Sequence, residues 1–549
     1  MFRLCHLLLL FLLRTVLCAT LTYDFNITWV RSNPDGAYER PTIGINGQWP
    51  LPAITAHVGD RIVVNVWNQL GNQSTSLHFH GLFMKGSPHM DGPEQVTQCA
   101  IPPGSQFVYN FTVEQPGTYW YHSHTQSQYP DGLRGPLIIH DDASPFHDQY
   151  DEELTLTISD WYHDPMADLL PGYMKKGSRM AREPFPNANL LNDSQHVRID
   201  VQPGKTYLIH LINMGAFMGQ YFWIEGHEMT IVEVDGVYTR PTVAENVYLA
   251  TGQRYAVLLT TKEGRDANYP MVASMDPLSI LGHGKTMRSV TGWLVYDSNS
   301  PMPPPERVDW YEAIDDMSLV PYDSAPLLLE PSHQITLDMN MHRLQDGVMH
   351  WLLNDISYAA PKRPTLYTAM TSGEAALEDV STYERSTNPF ILDEGAVVEI
   401  IVNNKHMGRH PFHLHGHSFQ AVYRSNHWAG SFAESNVTEA DFLAVPLRRD
   451  TLTVNPGGSM VIRFRADNPG VWIFHCHMEW HAHSGLIATM IEAPLALQSL
   501  GIPTDHIDAC AAGGISLNGT MPIQPVADAD AHSEEDKPAE VTPMDGPKE

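Results

Sequence analysis

Basic residues, cysteines and long apolar runs are all scarce in this chain of 549 residues. Its 33 Lys and Arg residues are outnumbered by 63 Asp and Glu residues, which gives a formal net charge of −30 at pH 7. Because nucleic-acid binding depends on contacts between Lys or Arg and phosphate, this balance argues against a nucleic-acid partner. The length is ample for about three domains with large buried cores.

The long apolar run of the chain lies within its first 20 residues. Arg3 precedes the run Leu7–Leu13, and small residues follow near Ala19. This is the pattern of a signal peptide over residues 1–20, too short to be a membrane anchor. No later run approaches the roughly 18 to 20 apolar residues that a spanning helix needs. We therefore expect a secreted protein, extracellular or in the cell wall, without a membrane anchor. Glycosylation sequons that agree with export begin at Asn26, Asn72, Asn110, Asn192, Asn436 and Asn518.

The five cysteines divide into three groups. Cys5 and Cys18 lie in the signal segment, and Cys476 lies between two histidines. Cys99 and Cys510 remain, and in an oxidising compartment we expect them to form a disulfide that ties the C-terminal region to the first domain.

Short β-rich runs separated by Gly and Pro turns predict β-sandwich domains. A glycine turn, an alternating strand and a final Asn occur twice, at 201–213 and at 393–404, which indicates an internal repeat. The sequence predicts three domains, at 21–145, 150–300 and 365–505. A Pro-rich linker is predicted at 301–364, and an acidic disordered tail at 511–549.

Histidines are concentrated in four short clusters. The last, 475–481, reads His-Cys-His-Met-Glu-Trp-His. Neighbouring strand residues face opposite ways, so Cys476 can bind one metal while His475 and His477 face a second centre. A thiolate with two imidazoles is the ligand set of a blue-copper site. The other clusters, each with a His-x-His pair, are 78–80, 122–124 and 410–415.

These four clusters resemble those of the multicopper oxidases, and the segments 90–99 and 131–137 resemble the fungal ferroxidase-like branch. The resemblance implies an all-β fold of three cupredoxin-like Greek-key domains, and it implies four copper ions that reduce dioxygen to water. The blue (type 1) copper ligands would be His410, Cys476 and His481. The type 2 ligands would be His78 and His413. The type 3 ligands would be His80, His122, His124, His415, His475 and His477. Leu486 would occupy the axial position of the blue copper.

Two carboxylates resemble acids that lie beside the copper cluster in the family. Asp91, in Met-Asp-Gly-Pro, and Glu479, between two ligand residues, could relay protons or orient ligands. The alternatives are a turn-capping Asp and a solvated Glu.

The expected substrate follows from four positions of the ferroxidase pocket. Glu183 and Tyr358 match, whereas His406 and Leu281 stand where acids are expected. With cationic Lys405 and Arg409 nearby, such a site is a poor Fe(II) trap, so we predict a laccase-like oxidase.

The predicted substrates are phenols or polyketide naphthols, in pigment or secondary-metabolite biosynthesis, and the enzyme is expected to be a monomer. The alternatives are a soluble ferroxidase that uses Glu183 and a copper-binding electron-transfer protein without turnover. Because no spanning segment follows the third domain, a membrane-anchored, permease-coupled role is not expected.

Overall fold

Strands dominate the chain, which confirms the all-β prediction. The computed structural model describes residues 18–178, 182–277, 289–308, 311–517 and 525–526. Most of the predicted signal peptide and most of the predicted acidic tail lie outside the described residues. Among the described helices, none has the length and apolar character that a membrane crossing requires.

The N-terminal domain is a sandwich of two four-stranded sheets, with strand orders β2-β1-β4-β6 and β3-β8-β7-β5. Its strands are β1 (Thr20–Ser32), β2 (Arg40–Ile45), β3 (Ile54–His57), β4 (Arg61–Asn68), β5 (His78–His80), β6 (Gln106–Thr112), β7 (Gly117–His122) and β8 (Arg134–His140).

The central domain pairs a six-stranded sheet, β10-β9-β12-β17-β14-β15, with a five-stranded sheet, β11-β19-β18-β13-β16. Its strands are β9 (Glu152–Trp161), β10 (Ala188–Leu191), β11 (Arg198–Asp200), β12 (Thr206–Asn213), β13 (Gln220–Ile224), β14 (Met229–Val234), β15 (Val237–Ala244), β16 (Asn246–Leu249), β17 (Arg254–Thr260), β18 (Tyr269–Met275) and β19 (Ser289–Val295).

The C-terminal domain has the same plan, with sheets β21-β20-β23-β28-β25-β26 and β22-β30-β29-β24-β27. Its strands are β20 (His333–Arg343), β21 (Met349–Leu353), β22 (Pro389–Leu392), β23 (Val397–Asn404), β24 (His410–Leu414), β25 (Phe419–Arg424), β26 (Leu447–Arg449), β27 (Thr451–Val454), β28 (Ser459–Arg465), β29 (Gly470–Cys476) and β30 (Ile487–Glu492). A last pair joins β31 (Ile502–Pro503) to β32 (Pro525–Val526).

The helices are short and lie between strands. They are α1 (Met166–Tyr173), α2 (Thr365–Thr371), α3 (Glu374–Leu377), α4 (Glu479–His483), α5 (Pro494–Leu497) and α6 (Thr504–Ala512). The predicted disulfide is present between Cys99 and Cys510, and it fixes α6 to the N-terminal domain.

The two copies of the repeat found in the sequence correspond to β12 and β23, and the structure adds β4 as a third copy. Each of these strands has one parallel and one antiparallel neighbour, and each ends at an Asn. In all three, the Asn Oδ1 accepts a hydrogen bond from the backbone N–H two residues on, an Asx-turn. In the C-terminal copy the donor is His406, so the repeat holds a residue of the predicted site in place.

The domain boundaries stay predictions, with one correction. The segment 301–364 is not all linker, because β20 and β21 lie in it and β20 pairs with β23. The Pro-rich start of the segment favours a linker, but the alternating residues of β20 bury one face against the sheet.

Candidate metal centre

Four strand ends bring the predicted ligands together. β5 pairs with β7 so that His78 lies opposite His122, and β24 pairs with β29 so that His413 lies opposite His475. The first pair belongs to the N-terminal domain and the second to the C-terminal domain. The centre is therefore assembled only when these two domains pack together.

Eight histidines form one cluster, and all of them but the half-buried His124 are buried. Their donor nitrogens fall into groups whose members lie within 4.8 Å of one another: His78, His80 and His413; His80, His122 and His477; His124, His415 and His475. The two groups without His78 have the three-imidazole pattern expected of the two type 3 ions.

A second, smaller group lies on the opposite side of β29. Cys476 Sγ is 3.4 Å from His481 Nδ1 and 3.7 Å from His410 Nδ1. The His481 ring comes from α4, which follows β29 directly. Leu486 is fully buried beside this group, since its carbonyl accepts the Cys476 N–H. Alternation at the end of β29 thus separates Cys476 from His475, and His477, just beyond the strand, lies in the same centre as His475.

Both groups fit metal ions. His78 Nε2, His122 Nε2 and His413 Nε2 are buried and have no hydrogen-bond partner among the described residues. An unpartnered buried nitrogen is costly unless something binds it. Burial also lowers the pKa of His80, His122, His410, His415, His475 and His477 well below the usual value. These imidazoles are neutral and available as ligands.

The two predicted carboxylates lie against this cluster. Asp91 is fully buried; its Oδ2 is 2.9 Å from His415 Nδ1, and its carbonyl oxygen is 2.7 Å from His78 Nδ1. Contacts of this kind fix the orientation of a ligating imidazole, so Asp91 does more than cap a turn. Glu479 lines a cavity of about 370 Å³ that also exposes His475 and His477. Desolvation raises the pKa of Glu479 to about 7, although Ser127 hydrogen-bonds to it.

The outer face of the Cys476 group carries two polar partners. Glu183 Oε1 is 3.0 Å from His481 Nε2, and His406 Nδ1 is 3.0 Å from His410 Nε2. Trp351 packs on both ligand rings, at 5.1 Å from His410 and 4.6 Å from His481.

Lys405 and Arg409, the two cations that the sequence analysis took as unfavourable for Fe(II) binding, each form an ion pair with an acid. Lys405 Nζ lies 2.8 Å from Asp338 Oδ2, and an Arg409 guanidinium nitrogen lies 2.9 Å from Asp276 Oδ2. The local charge is therefore less positive than the sequence suggested. Both acidic partners are distant in sequence, so no local pattern revealed them.

Of the other two positions considered for the pocket, Tyr358 lines the cavity beside Glu479. Leu281 lies outside the described residues.

A column of buried charge is the main feature that the sequence analysis missed. Asp450 lies 3.4 Å from both His80 Nε2 and His413 Nδ1, and it accepts two hydrogen bonds from Arg254, at 2.7 and 2.8 Å. Ion pairs continue the column towards the surface through Asp235, Arg449, Asp316, Arg424 and Asp315. One sequence feature could have pointed to Asp450. It is the acid in the segment 448–451, Arg-Arg-Asp-Thr, and it stands immediately before strand β27.

Comparisons with known proteins agree with this geometry. Three multicopper oxidase family profiles match residues 26–144, 152–299 and 358–496. The iron transport multicopper oxidase fetC of Epichloe festucae is 54% identical over 92% of this chain and 82% of its own. The iron transport multicopper oxidase FET3 of Saccharomyces cerevisiae is 42% identical over 91% of this chain and 80% of its own.

Two solved structures of multicopper oxidases are also similar to this chain. The crystal structure of Fet3p, a multicopper oxidase that functions in iron import, matches with a TM-score of 0.88 at 40% identity, over 93% of this chain and all of that one. A laccase from Botrytis aclada matches with a TM-score of 0.79 at 28% identity, over 90% and 92%.

The prediction of a laccase-like oxidase for phenols or naphthols in pigment or secondary metabolism is wrong. Four relatives that are 42–54% identical carry iron transport names, whereas the laccase is 28% identical. The error came from treating Lys405 and Arg409 as free charges and from expecting acids at every position of the pocket.

Proposed function

The chain belongs to the multicopper oxidase family, in its fungal ferroxidase-like branch, and we propose that it oxidises Fe(II) to Fe(III). It is a copper-dependent oxidoreductase that uses dioxygen as electron acceptor. The balanced reaction consumes four Fe(II), one dioxygen and four protons, and it yields four Fe(III) and two waters. The observation that carries the proposal is the contact of Glu183 with His481.

The copper ions would be held by the two histidine groups described above. His410, Cys476 and His481 would hold type 1 copper; His78 and His413 type 2; and His80, His122, His124, His415, His475 and His477 the type 3 pair. When bound, copper supplies the one-electron acceptor for substrate and the multi-electron donor for dioxygen.

Glu183 has the properties of a substrate ligand. A carboxylate oxygen suits a hard cation, and the Glu183 side chain is 14% exposed, so it can be reached from solvent. Its hydrogen bond to His481 gives an electron a short route from bound Fe(II) to a type 1 ligand. Burial alone would raise the pKa of Glu183, but the hydrogen bond and charge of His481 outweigh it, and the net pKa is lowered. Glu183 is therefore anionic.

His406 extends this pocket with a nitrogen donor. Burial and the nearby His481 lower its pKa to about 4, so it is neutral at physiological pH. Imidazole is itself an accepted iron ligand, so replacement of an acid by His does not remove the capacity to bind the substrate.

Glu479 is suited to proton supply on the other side of the centre. A carboxyl with a pKa near 7 is present in both its protonated and its ionised form at neutral pH, so it can both take up and release a proton. It lies in the cavity through which water can approach His475 and His477.

The setting of this activity is also a proposal. The signal-peptide pattern and the Cys99–Cys510 disulfide support an exported, extracellular enzyme. We expect it to act as a monomer.

The test measures oxygen uptake by the copper-loaded protein with Fe(II) and, separately, with 2,6-dimethoxyphenol. We expect Fe(II) to be the better substrate. Loss of a hydrogen-bonded charge costs about 1.5–3 kcal/mol, so Glu183→Gln should lower kcat/KM for Fe(II) by roughly 10- to 100-fold, with a smaller effect on the phenol.

The matched control is Glu225→Gln, which alters a half-buried carboxylate elsewhere in the central domain and should leave both activities unchanged. A wild-type preference for the phenol, or an equal loss for both substrates in Glu183→Gln, would contradict the proposal.

A further inference from the structure

A small polar cavity lies at the junction of the N-terminal and central domains, and none of the predicted copper ligands lines it. Its volume is about 40 Å³, and its lining includes His140, Glu153, His210 and Glu233. His140 ends β8, Glu153 lies near the start of β9, and His210 lies in the neighbouring strand β12. A space of this size holds a single ion or water molecule.

Two imidazole nitrogens flank one carboxylate oxygen in this cavity. His140 Nδ1 is 3.3 Å from Glu153 Oε2, and His210 Nε2 is 3.5 Å from the same oxygen. Ligands that share one transition-metal ion at about 2.1 Å lie roughly 3 Å apart, so each of these two His–Glu separations is close to that between two ligands of one ion.

The hydrogen bonds of His210 determine which of its nitrogens faces the cavity with a free lone pair. Its Nδ1 is 2.7 Å from Thr118 Oγ1, and that hydroxyl is 3.2 Å from Glu233 Oε2. A carboxylate can only accept, so the single hydroxyl proton of Thr118 goes to Glu233, and Nδ1–H of His210 donates to Thr118. This leaves Nε2 without a proton in the neutral ring.

The structure therefore contains an unsatisfied contact. His210 is only 5% exposed, and its Nε2 has no hydrogen-bond partner among the described residues. Lone pairs on this nitrogen and on Glu153 Oε2 face each other, which is unfavourable unless a cation lies between them.

The surroundings resemble the support of a metal site. A ligating His generally donates its other N–H to an acceptor, as His210 does to Thr118. Ligating carboxylates are hydrogen-bonded in turn, and Tyr150 donates to Glu153 Oε1 at 2.7 Å. The side chains of His140 and Glu153 are 31% and 28% exposed, so they have room to close on an ion.

We propose that His140, Glu153 and His210 form a binding site for a divalent transition-metal ion, separate from the copper centres. Two imidazoles and one carboxylate suit ions such as Fe(II) and Zn(II). The site does not depend on the ferroxidase assignment, because its donors and the Glu183 pocket share no residue.

The test titrates Zn²⁺ into the copper-loaded protein by isothermal calorimetry; Zn²⁺ is redox-inert and is not consumed by the oxidase. We expect a binding event that weakens roughly tenfold or more in His140→Ala and in Glu153→Gln. The control is His333→Ala, which removes a half-exposed histidine that pairs with a carboxylate, Asp393, in the C-terminal domain. Copper content checks the fold of each variant.

Crystals soaked in Zn²⁺ locate the ion by anomalous diffraction, with a peak expected between the three side chains. Zn²⁺ bound at Glu183 would be lost in Glu183→Gln and retained in His140→Ala, so the two proposals fail separately. Absence of wild-type binding, or equal binding by His140→Ala and Glu153→Gln, would overturn the inference and leave a proton as the only cation between His210 and Glu153.

Discussion

The buried charge column gives a prediction that the sequence motifs alone would not have suggested. Arg254 is fully buried and bonds to Asp450 through two nitrogens, while its Nε donates to the Thr118 carbonyl at 2.9 Å. Arg254→Gln removes the charge and most of these bonds. Asp450 then remains as a buried anion whose nearest cation has gone.

The expected cost follows from burial. Removal of one partner from a buried ion pair costs about 3–5 kcal/mol, because the other charge is left uncompensated. Burial alone would raise the pKa of Asp450, but the charge of Arg254 and hydrogen bonds from His413 and His80 hold it well below the usual value. The Asp450 contribution is therefore present at neutral pH and is lost as the pH falls through the lowered folded pKa.

Urea unfolding of the copper-free protein at pH 7 measures this cost. Lys205→Gln serves as the control, because Lys205 forms an exposed ion pair with Asp151 that should contribute only about 0–1 kcal/mol. The double variant Arg254→Gln with Asp450→Asn removes both charges, so its loss should be smaller than the sum of the two single losses. If Arg254→Gln costs no more than Lys205→Gln, or if the two single losses simply add, the reasoning is refuted.

Three further predictions concern the cluster and its attachments. In Gly252→Ala, the new Cβ would lie 2.9 Å from the His477 ring at a φ of +84°, so we expect fewer copper atoms per chain by elemental analysis. The pKa of Glu479 is raised from 4.5 to about 7, so its stabilisation of the copper-free fold is present below pH 4.5 and is lost as the pH rises through 7. In urea unfolding measured over a pH series, Glu479→Gln should therefore reduce the dependence of the unfolding free energy on pH in this range. Cys99→Ser removes the disulfide that closes a loop spanning 411 residues, and the chain-entropy model gives this cross-link a stabilisation of up to about 6 kcal/mol. Limited proteolysis of the variant should then cut the chain near Cys510. Protection from the protease equal to that of the wild type would contradict this prediction.

Features that depend on local spacing could be read from the sequence. Alternation along one strand is enough to separate Cys476 from His475 and His477, and the structure places them in different groups as expected. The repeated strand with its final Asn was likewise visible, since an Asx-turn needs only the Asn and the next two residues.

Features that depend on distant partners could not be read in this way. Lys405 and Arg409 looked like free cations because Asp338 and Asp276 lie 67 and 133 residues away. Arg254 reaches Asp450 across 196 residues, so the segment 448–451 could show the acid but not the cation that pairs with it. Charge counted over a short stretch of sequence is therefore a poor guide to the charge of a pocket.

The comparison with a laccase shows why the ligand motifs fix the cofactor but leave the substrate open. The Botrytis aclada laccase superposes with a TM-score of 0.79 at only 28% identity, so the shared fold tolerates large changes outside its core. In this chain the Nδ1 atoms of His410 and His481 face Cys476, so the outer Nε2 atoms are the ones that substrate-binding side chains can contact. In this chain those side chains are Glu183 and His406, an acid and a neutral imidazole. Under the proposed ferroxidase activity both would bind Fe(II), and their contacts with His481 and His410 would couple the bound ion to electron transfer.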